Sequence, residues 1–140
     1  MLRLSRRVEY ALLALQYLAR HRSIASVREI AQAYQLSSEF LAKVLQQLVR
    51  AQIVSAHHGV HGGYILLQHP QILTVADIVD AVENPWAGLV DCRLGEDQCS
   101  LFPRCTIRHP LAVLEHRLRG ILNSMTLAEL VEYTEAEQTP

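Results

Sequence analysis

The chain has 140 residues, half of them apolar, which is the size of one domain with an appended segment. It has three cysteines, an odd number, and shows neither a charged-then-apolar leader nor an apolar run of membrane-spanning length. These features argue against a secreted disulfide scaffold and a membrane protein, and they predict a reducing, cytoplasmic setting.

The net charge of −1 hides an uneven distribution along the chain. Residues 1–65 carry eight lysines and arginines against three glutamates, a net charge of +5. The remainder carries five arginines against eleven carboxylates, a net charge of −6. We therefore expect the first half to face a polyanion and the second half to face solvent or another subunit.

Three amphipathic helices are predicted in the first 50 residues. From Ser5 to Arg20, apolar residues recur at steps of three and four, the period of a helix with one buried face. Ser26 and Glu29 form a capping box that begins a short second helix. The segment Ser37–Glu39 can cap a third helix. The outer side of this third helix is polar and only partly charged, as a base-reading surface would be, and carries Ser38, Glu39, Ala42, Lys43, Gln46, Gln47 and Arg50.

Two short β-like runs follow the third helix. They are Ile53–His57 and Tyr64–Leu67, and the glycine-rich segment 58–63 separates them. Three helices followed by a hairpin predict a mainly α fold, the winged helix-turn-helix. In that fold the third helix lies in the DNA major groove and the wing touches the backbone or the minor groove.

The second half of the chain contains three further predicted helices. Thr74 and Asp77 cap the first, which Asn84-Pro85 ends. Pro110 begins a long helix, 110–125, and Thr126 with Glu129 caps a last short helix before a loose tail at 135–140. The long helix has an apolar stripe that pairing with a second copy would bury, made of Leu111, Leu114, Leu118, Ile121, Leu122 and Met125.

These elements suggest three units. Residues 1–70 would form the DNA-binding domain, 71–109 a connecting helix and cysteine loop, and 110–140 the dimerisation helix and C-terminal helix. No glycine loop of a nucleotide site follows a strand, and no catalytic triad is apparent, so the sequence predicts a protein that is not an enzyme.

All three cysteines, Cys92, Cys99 and Cys105, lie within fourteen residues with the spacing C-x6-C-x5-C. The surrounding loop, Asp91 to His109, has no regular period, and a metal bound by thiolates would order it. The spacing disfavours zinc, which prefers closer pairs, whereas iron–sulfur clusters accept wider spacings. His109 is the nearest candidate for a fourth ligand, although it could equally cap the long helix or be solvated.

Basic residues outside the third helix are candidate DNA contacts. Arg3, Arg6 and Arg7 could bind phosphates at the start of the first helix, and His58 and His61 could do so at the wing tip. A metal site made of the wing histidines is a much weaker interpretation.

Several segments of the sequence match one known family. The chain resembles the Rrf2 family of bacterial winged-helix transcription regulators, which includes IscR, NsrR, RirA and RsrR. The resemblance covers nearly the whole chain, and its most specific parts are the G-x-x-G-G-Y wing and the three cysteines. The matching segments are Leu4-Ser5, Tyr10-Ala11-Leu12, Val27-Arg28-Glu29-Ile30-Ala31, Phe40-Leu41-Ala42-Lys43-Val44-Leu45, Gly59-Val60-His61-Gly62-Gly63-Tyr64 and Thr126-Leu127-Ala128-Glu129-Leu130.

The resemblance implies a homodimer in which the long helices 110–125 of the two subunits cross. The cysteine loop of one subunit would then lie near the DNA-binding domain of the other. It also implies that the three cysteines hold an iron–sulfur cluster, either [2Fe-2S] or [4Fe-4S]. IscR-like members take the fourth ligand from a histidine at the position of Arg108, with His109 shifted by one. NsrR-like and RsrR-like members use a carboxylate from helix one of the partner, the position of Glu9, so Glu9 is favoured over His109. RsrR-like members add a histidine where this chain has Leu13.

The expected function is therefore a dimeric regulator whose affinity for a double-stranded DNA operator depends on a cluster that senses nitric oxide, redox state or iron supply. One alternative keeps the DNA binding and replaces the cluster by zinc or by bare redox-sensing thiols. A second is a small iron–sulfur electron-transfer protein.

Overall fold

The computed structural model describes residues 3–83, 88–90, 92 and 98–137. Over these residues the protein is mainly helical, with one antiparallel pair of strands, which confirms the predicted fold class. The elements are α1 (Arg6–His21), α2 (Val27–Tyr34), α3 (Ser38–Arg50), β1 (Val54–His57), β2 (Gly63–Leu66), α4 (Val75–Val82), α5 (Arg108–Ser124) and α6 (Leu127–Glu137), with a 3₁₀ turn at Phe102–Arg104.

Short polar side chains fix where the first four helices begin. The Ser5 hydroxyl accepts a hydrogen bond from the backbone N–H of Val8 at the start of α1. A complete capping box precedes α2, and another, between Thr74 and Asp77, precedes α4. Because the first N–H groups of a helix have no partner inside it, these caps set the helix starts, as the sequence predicts for α2 and α4, while α1 begins at Arg6, one residue later than predicted.

The wing is a hairpin in which Val54 lies opposite Leu66 and His57 opposite Gly63. Its second strand begins and ends one residue earlier than predicted, because Gly63 lies in it. A Cβ atom on Gly63 would lie 2.4 Å from the carbonyl oxygen of Ala25, so only glycine permits this close approach. Ala25 and Tyr64 exchange two backbone hydrogen bonds of 3.0 and 2.8 Å, which attach the wing to the link between α1 and α2.

One buried cluster connects α1, α2, α3, β1, α4 and the start of α6. Helix α4 packs against α1, α3 and α5, and five of its eight residues are buried. The N–H of Val75 donates to the carbonyl of Met125, and the N–H of Leu127 donates to that of Leu73, which joins the start of α6 to the start of α4. The division into units at residues 70 and 109 stays a prediction.

The C-terminal helices differ from the prediction at their ends. Helix α5 begins at Arg108, so Pro110 is its third residue, where the missing N–H has no helical partner to lose. Helix α6 continues to Glu137, so a loose tail is wrong for residues 135–137. The Gln16 side chain donates to the Leu130 carbonyl and the Thr134 hydroxyl, both at 2.9 Å, and holds α6 along α1.

The predicted helix end at Asn84-Pro85, the loop start at Asp91 and the last three residues lie outside the described residues. None of the helices in the described ranges is long and apolar enough to cross a membrane.

Candidate nucleic-acid interface and cysteine site

Helix α3 presents one apolar and one polar face, as its sequence pattern predicts. Leu41, Val44, Leu45 and Leu48 are buried and hold one face against α1, α2 and α4. The opposite face is therefore turned to solvent. Of the predicted contact residues, Gln47 is half-buried and the others are exposed, namely Ser38, Glu39, Lys43, Gln46 and Arg50.

The N-terminus of α3 is attached to α1 through Tyr10, which sequence reasoning did not single out. The Tyr10 hydroxyl accepts a hydrogen bond of 3.2 Å from the backbone N–H of Ser37. Its ring lies edge-on to Phe40, with centroids 4.9 Å apart. Tyr10 follows Glu9 directly in α1.

The candidate phosphate contacts on α1 and the wing lie on the surface. Arg3, Arg6 and Arg7 are exposed, and the Arg6 guanidinium forms an ion pair of 3.1 Å with the Glu9 carboxylate. His58 and His61 are also exposed and flank Val60, which is 97% exposed at the wing tip.

The three cysteines are free thiols, and each is half-buried. The 3₁₀ turn lies between Cys99 and Cys105, and the Arg108 guanidinium lies 4.2 Å from the centre of the Phe102 ring. This cation–π contact fixes the segment after Cys99 to the first turn of α5.

The thiol donors suit an iron–sulfur cluster chemically, since clusters are held by cysteine thiolates. Within the described part of the chain, however, no three His, Cys, Asp or Glu side chains come together as a metal site. Glu9 and His109 are both exposed and belong to no such group there. The cysteines thus supply donors of the right chemistry, while the described residues of one protomer do not bring three such donors together.

Cys92 lines an open cleft of about 500 Å³ between the cysteine loop and α5. The other lining residues are Val90, Arg108, Ala112, Glu115, His116 and Arg119. Sequence reasoning named Arg108 only as the position of a histidine in IscR-like members, and it missed Glu115, His116 and Arg119. Their spacing of one and four residues places them together on a helix, but only the fold shows that this side of α5 faces Cys92.

Arg119 also reaches α4. Its guanidinium forms a two-pronged ion pair with the Asp80 carboxylate, in which one hydrogen bond measures 2.7 Å. The hydrogen bond with Asp80 raises the pKa of Arg119 and keeps it charged. Asp80 in turn lines a second open cleft of about 560 Å³, together with Gln47 and Arg50 of α3.

A polar-faced third helix, a wing and an exposed basic patch on α1 define a winged-helix DNA-binding protein. A family model described as an iron-dependent transcriptional regulator matches residues 4–133. The chain belongs to the Rrf2 family, as the sequence resemblance predicts.

Named relatives and solved structures agree with this assignment. The chain is 28% identical over 134 residues to the regulator NsrR of Oceanobacillus iheyensis, covering 94% of this chain and 91% of that one. It is 33% identical over 113 residues to the regulator CymR of Bacillus subtilis, covering 81% and 76%.

Two solved structures have the same fold. One is CymR, described as the global cysteine regulator of B. subtilis, with a TM-score of 0.75, 25% identity and coverage of 95% of this chain and 98% of that one. The other is IscR of T. potens, with a TM-score of 0.77, 25% identity and coverage of 99% and 93%. The chain is therefore a DNA-binding transcriptional regulator and not an enzyme.

Proposed function

We propose that the protein is a homodimeric regulator whose affinity for its operator is controlled by an iron–sulfur cluster. Cys92, Cys99 and Cys105 would hold the cluster, with Glu9 of the partner subunit as the fourth ligand and His109 as the alternative. When bound, the cluster supplies a redox-active centre that also reacts with oxidants and nitric oxide. Its nuclearity is either [2Fe-2S] or [4Fe-4S].

One observation carries this proposal. The only three cysteines of the chain are free, half-buried thiols on one short segment that leads into α5. Scattered thiols in a core would merely fill space, whereas clustered thiols are soft ligands for iron. The matching family model, described as iron-dependent, supports iron over other metals.

Glu9 is favoured as the fourth ligand because of its place in the fold. It lies in the first turn of α1 and its neighbour Tyr10 holds the N-terminus of α3. A bond from Glu9 to a cluster on the other subunit would connect the sensing site to the DNA-reading helix directly. A coupling free energy of about 1–3 kcal/mol would change operator affinity some five- to 150-fold.

The exposed face of α3 would enter the major groove, and two heads of a dimer would read half-sites about one helical turn apart. Lys43, Gln46 and Gln47, with Ser38 and Glu39, are the candidate base or backbone contacts. The phosphate contacts would come from Arg50, Arg3, Arg6 and Arg7, with His58 and His61 on the wing.

The test is anaerobic reconstitution of the full-length protein with iron and sulfide. Wild type should gain visible absorption, iron and sulfide, and its affinity for a selected duplex should differ between the loaded and the cluster-free forms. Cys99→Ser and Glu9→Ala should lose or change the absorption, while His109→Ala should keep it. His21→Ala, an exposed histidine in the last turn of α1, serves as a histidine control away from the cysteine segment.

The ligand assignment is wrong if Glu9→Ala keeps the wild-type spectrum and His109→Ala loses it. The cluster itself is excluded if anaerobically prepared wild type holds neither iron nor sulfide. An electron-transfer role without DNA binding predicts no salt-dependent binding to any duplex, whereas a regulator loses affinity steeply as salt rises.

A second candidate function is a DNA-binding regulator that senses through its thiols without a metal. Two observations favour it, namely that the described residues do not assemble three metal donors and that CymR, a cysteine regulator, is a 33% identical relative. Oxidising metal-free protein with diamide distinguishes the two, because only sensing thiols would then change operator affinity and recover it with a reductant.

A further inference from the structure

Asp80 stands between two arginines on different helices. The guanidinium of Arg119, on α5, holds its carboxylate with two hydrogen bonds. Arg50, in the last turn of the DNA-reading helix α3, lines the same cleft as Asp80. Arg50 is exposed and forms no ion pair with any residue in the described ranges.

The positions of these residues connect the two functional regions. Arg119 lines the cleft that contains Cys92, whereas Asp80 lines the cleft that contains Arg50. Helix α5 packs mainly against α4, and α4 packs against α3. A shift of the cysteine segment and α5 would therefore reach α3 through α4, and the Asp80–Arg119 pair joins α5 to α4.

A single carboxylate cannot hold two forked guanidinium groups in this two-pronged geometry. Arg50 and Asp80 line the same open cleft, and the long, rotatable stem of arginine would let Arg50 turn toward Asp80 if Arg119 withdrew. The same turn would take Arg50 away from a DNA phosphate. Pairing of Asp80 with Arg119 would therefore favour DNA binding, and pairing of Asp80 with Arg50 would weaken it.

We propose that Asp80 is a charge-exchange site that couples the cysteine loop to DNA binding. In the high-affinity state Asp80 pairs with Arg119, and Arg50 is free to bind phosphate. In the low-affinity state α5 withdraws Arg119, and Asp80 captures Arg50. The proposal rests on the proposed function, because it requires that the state of the loop changes operator affinity.

The expected effect is modest, because both partners are partly exposed, with side-chain exposures of 31% for Arg119 and 46% for Asp80. A partly exposed ion pair shifts an equilibrium by roughly two- to fivefold. Two protomers of a symmetric dimer would together give about four- to 25-fold. Capture of Arg50 should also reduce the slope of log affinity against log salt concentration by about one for each protomer.

The test measures the affinity of full-length protein for a duplex selected from random sequences with wild type. Each variant is measured in the cluster-loaded and cluster-free forms, at several salt concentrations. Arg119→Gln leaves Asp80 to Arg50, so affinity should be low in both forms. Asp80→Asn removes the carboxylate that would capture Arg50, and the other carboxylate of this cleft, Asp77, is held in the capping box of α4, so affinity should be high in both forms. In each variant the cluster-loaded and cluster-free forms should therefore have nearly equal affinities, a ratio close to one. That common affinity should be low for Arg119→Gln and high for Asp80→Asn.

Arg117→Gln is the matched control, since it removes the same charge from the exposed surface of α5, and it should keep the wild-type ratio. Thermal unfolding identifies a variant that fails to fold, in which case the other variant decides the sign. If the two wild-type forms differ in affinity and both variants keep that difference, the charge exchange is wrong while the proposed function stands. The same holds if both variants shift the affinity in the same direction. A wild-type ratio of one overturns the proposed function, and the exchange with it.

Discussion

Helices α1 to α4 and helix α5 differ in how much of their surface the same chain covers. Each of the first four helices contains buried residues, up to five in α1 and in α4. Helix α5 has 17 residues and none of them is buried. Instead it leaves large apolar side chains in solvent, with Val113 38%, Leu114 44% and Ile121 64% exposed.

This difference separates helices α1 to α4, called the head below, whose apolar side chains the same chain covers, from α5, which leaves part of its apolar surface exposed. The head places its apolar side chains in one cluster and caps its helices with its own side chains. Exposed apolar stripes are typical of interaction surfaces, so we propose that a second chain covers the stripe of α5 and that another group orders the half-buried thiols. Loss of the partner should therefore leave the folding of the head unchanged. It should impair whatever function depends on α5 and the cysteine segment.

The largest expected effect is loss of core packing in the head. Leu45 is fully buried in α3, so Leu45→Ala should lower the free energy of unfolding by about 2–5 kcal/mol through lost burial and a residual cavity. Urea denaturation followed by circular dichroism measures this. Leu101→Ala is the matched control on the cysteine segment, where leucine is 68% exposed, and should change it by less than about 0.5 kcal/mol. Equal losses would contradict the division into two regions.

The next effect concerns the stripe on α5. If a second copy covers Ile121, Ile121→Asp should weaken dimerisation by about 1.5–3 kcal/mol for each protomer, since it removes apolar burial and adds an unpaired charge. Analytical ultracentrifugation should then show monomers at concentrations where wild type is dimeric. The circular dichroism of the head should stay the same.

Asn123→Asp is the control for that variant, because it adds the same charge to an exposed polar position on the same helix. It should leave the dimer intact. A dimer that survives Ile121→Asp would mean that α5 is covered by something other than a second copy.

The head was predictable from sequence because its signals are local. Ser26 with Glu29, and Thr74 with Asp77, are each three residues apart, and such pairs begin helices wherever they occur. The apolar period of α3 identified its buried face for the same reason. The early start of β2 was missed because it depends on Gly63 approaching Ala25, a contact between residues far apart in sequence.

The cysteine site was predictable only as a set of donors. The clustering of Cys92, Cys99 and Cys105 can be read from the sequence, but the charged side of α5 that faces Cys92 cannot, since it depends on how the loop packs. The pairing of Asp80 with Arg119 is likewise a contact between residues 39 positions apart. Helix periodicity places each residue on a face and does not say which helix that face meets.

The smallest expected effect is a pH dependence that belongs to the head alone. Hydrogen bonds from the backbone and side chain of Ser26 lower the pKa of Glu29 below its ordinary value. A lowered folded-state pKa means that this contribution to stability is present above the ordinary pKa of glutamate, about 4.3, and is lost as the pH falls through the lowered value. Glu29→Gln should therefore destabilise the protein above about pH 5 and have a vanishing effect in stronger acid.

Urea denaturation at several pH values measures this difference, with Glu132→Gln as the control, because Glu132 is an exposed carboxylate of α6 that caps no helix. The difference should be the same in the Ile121→Asp background, since the capping box at Ser26 and Glu29 involves only α2 and the residue before it. A pH dependence that disappears when the dimer is broken would mean that the partner also stabilises the head, and the two regions would then be less independent than their burial indicates.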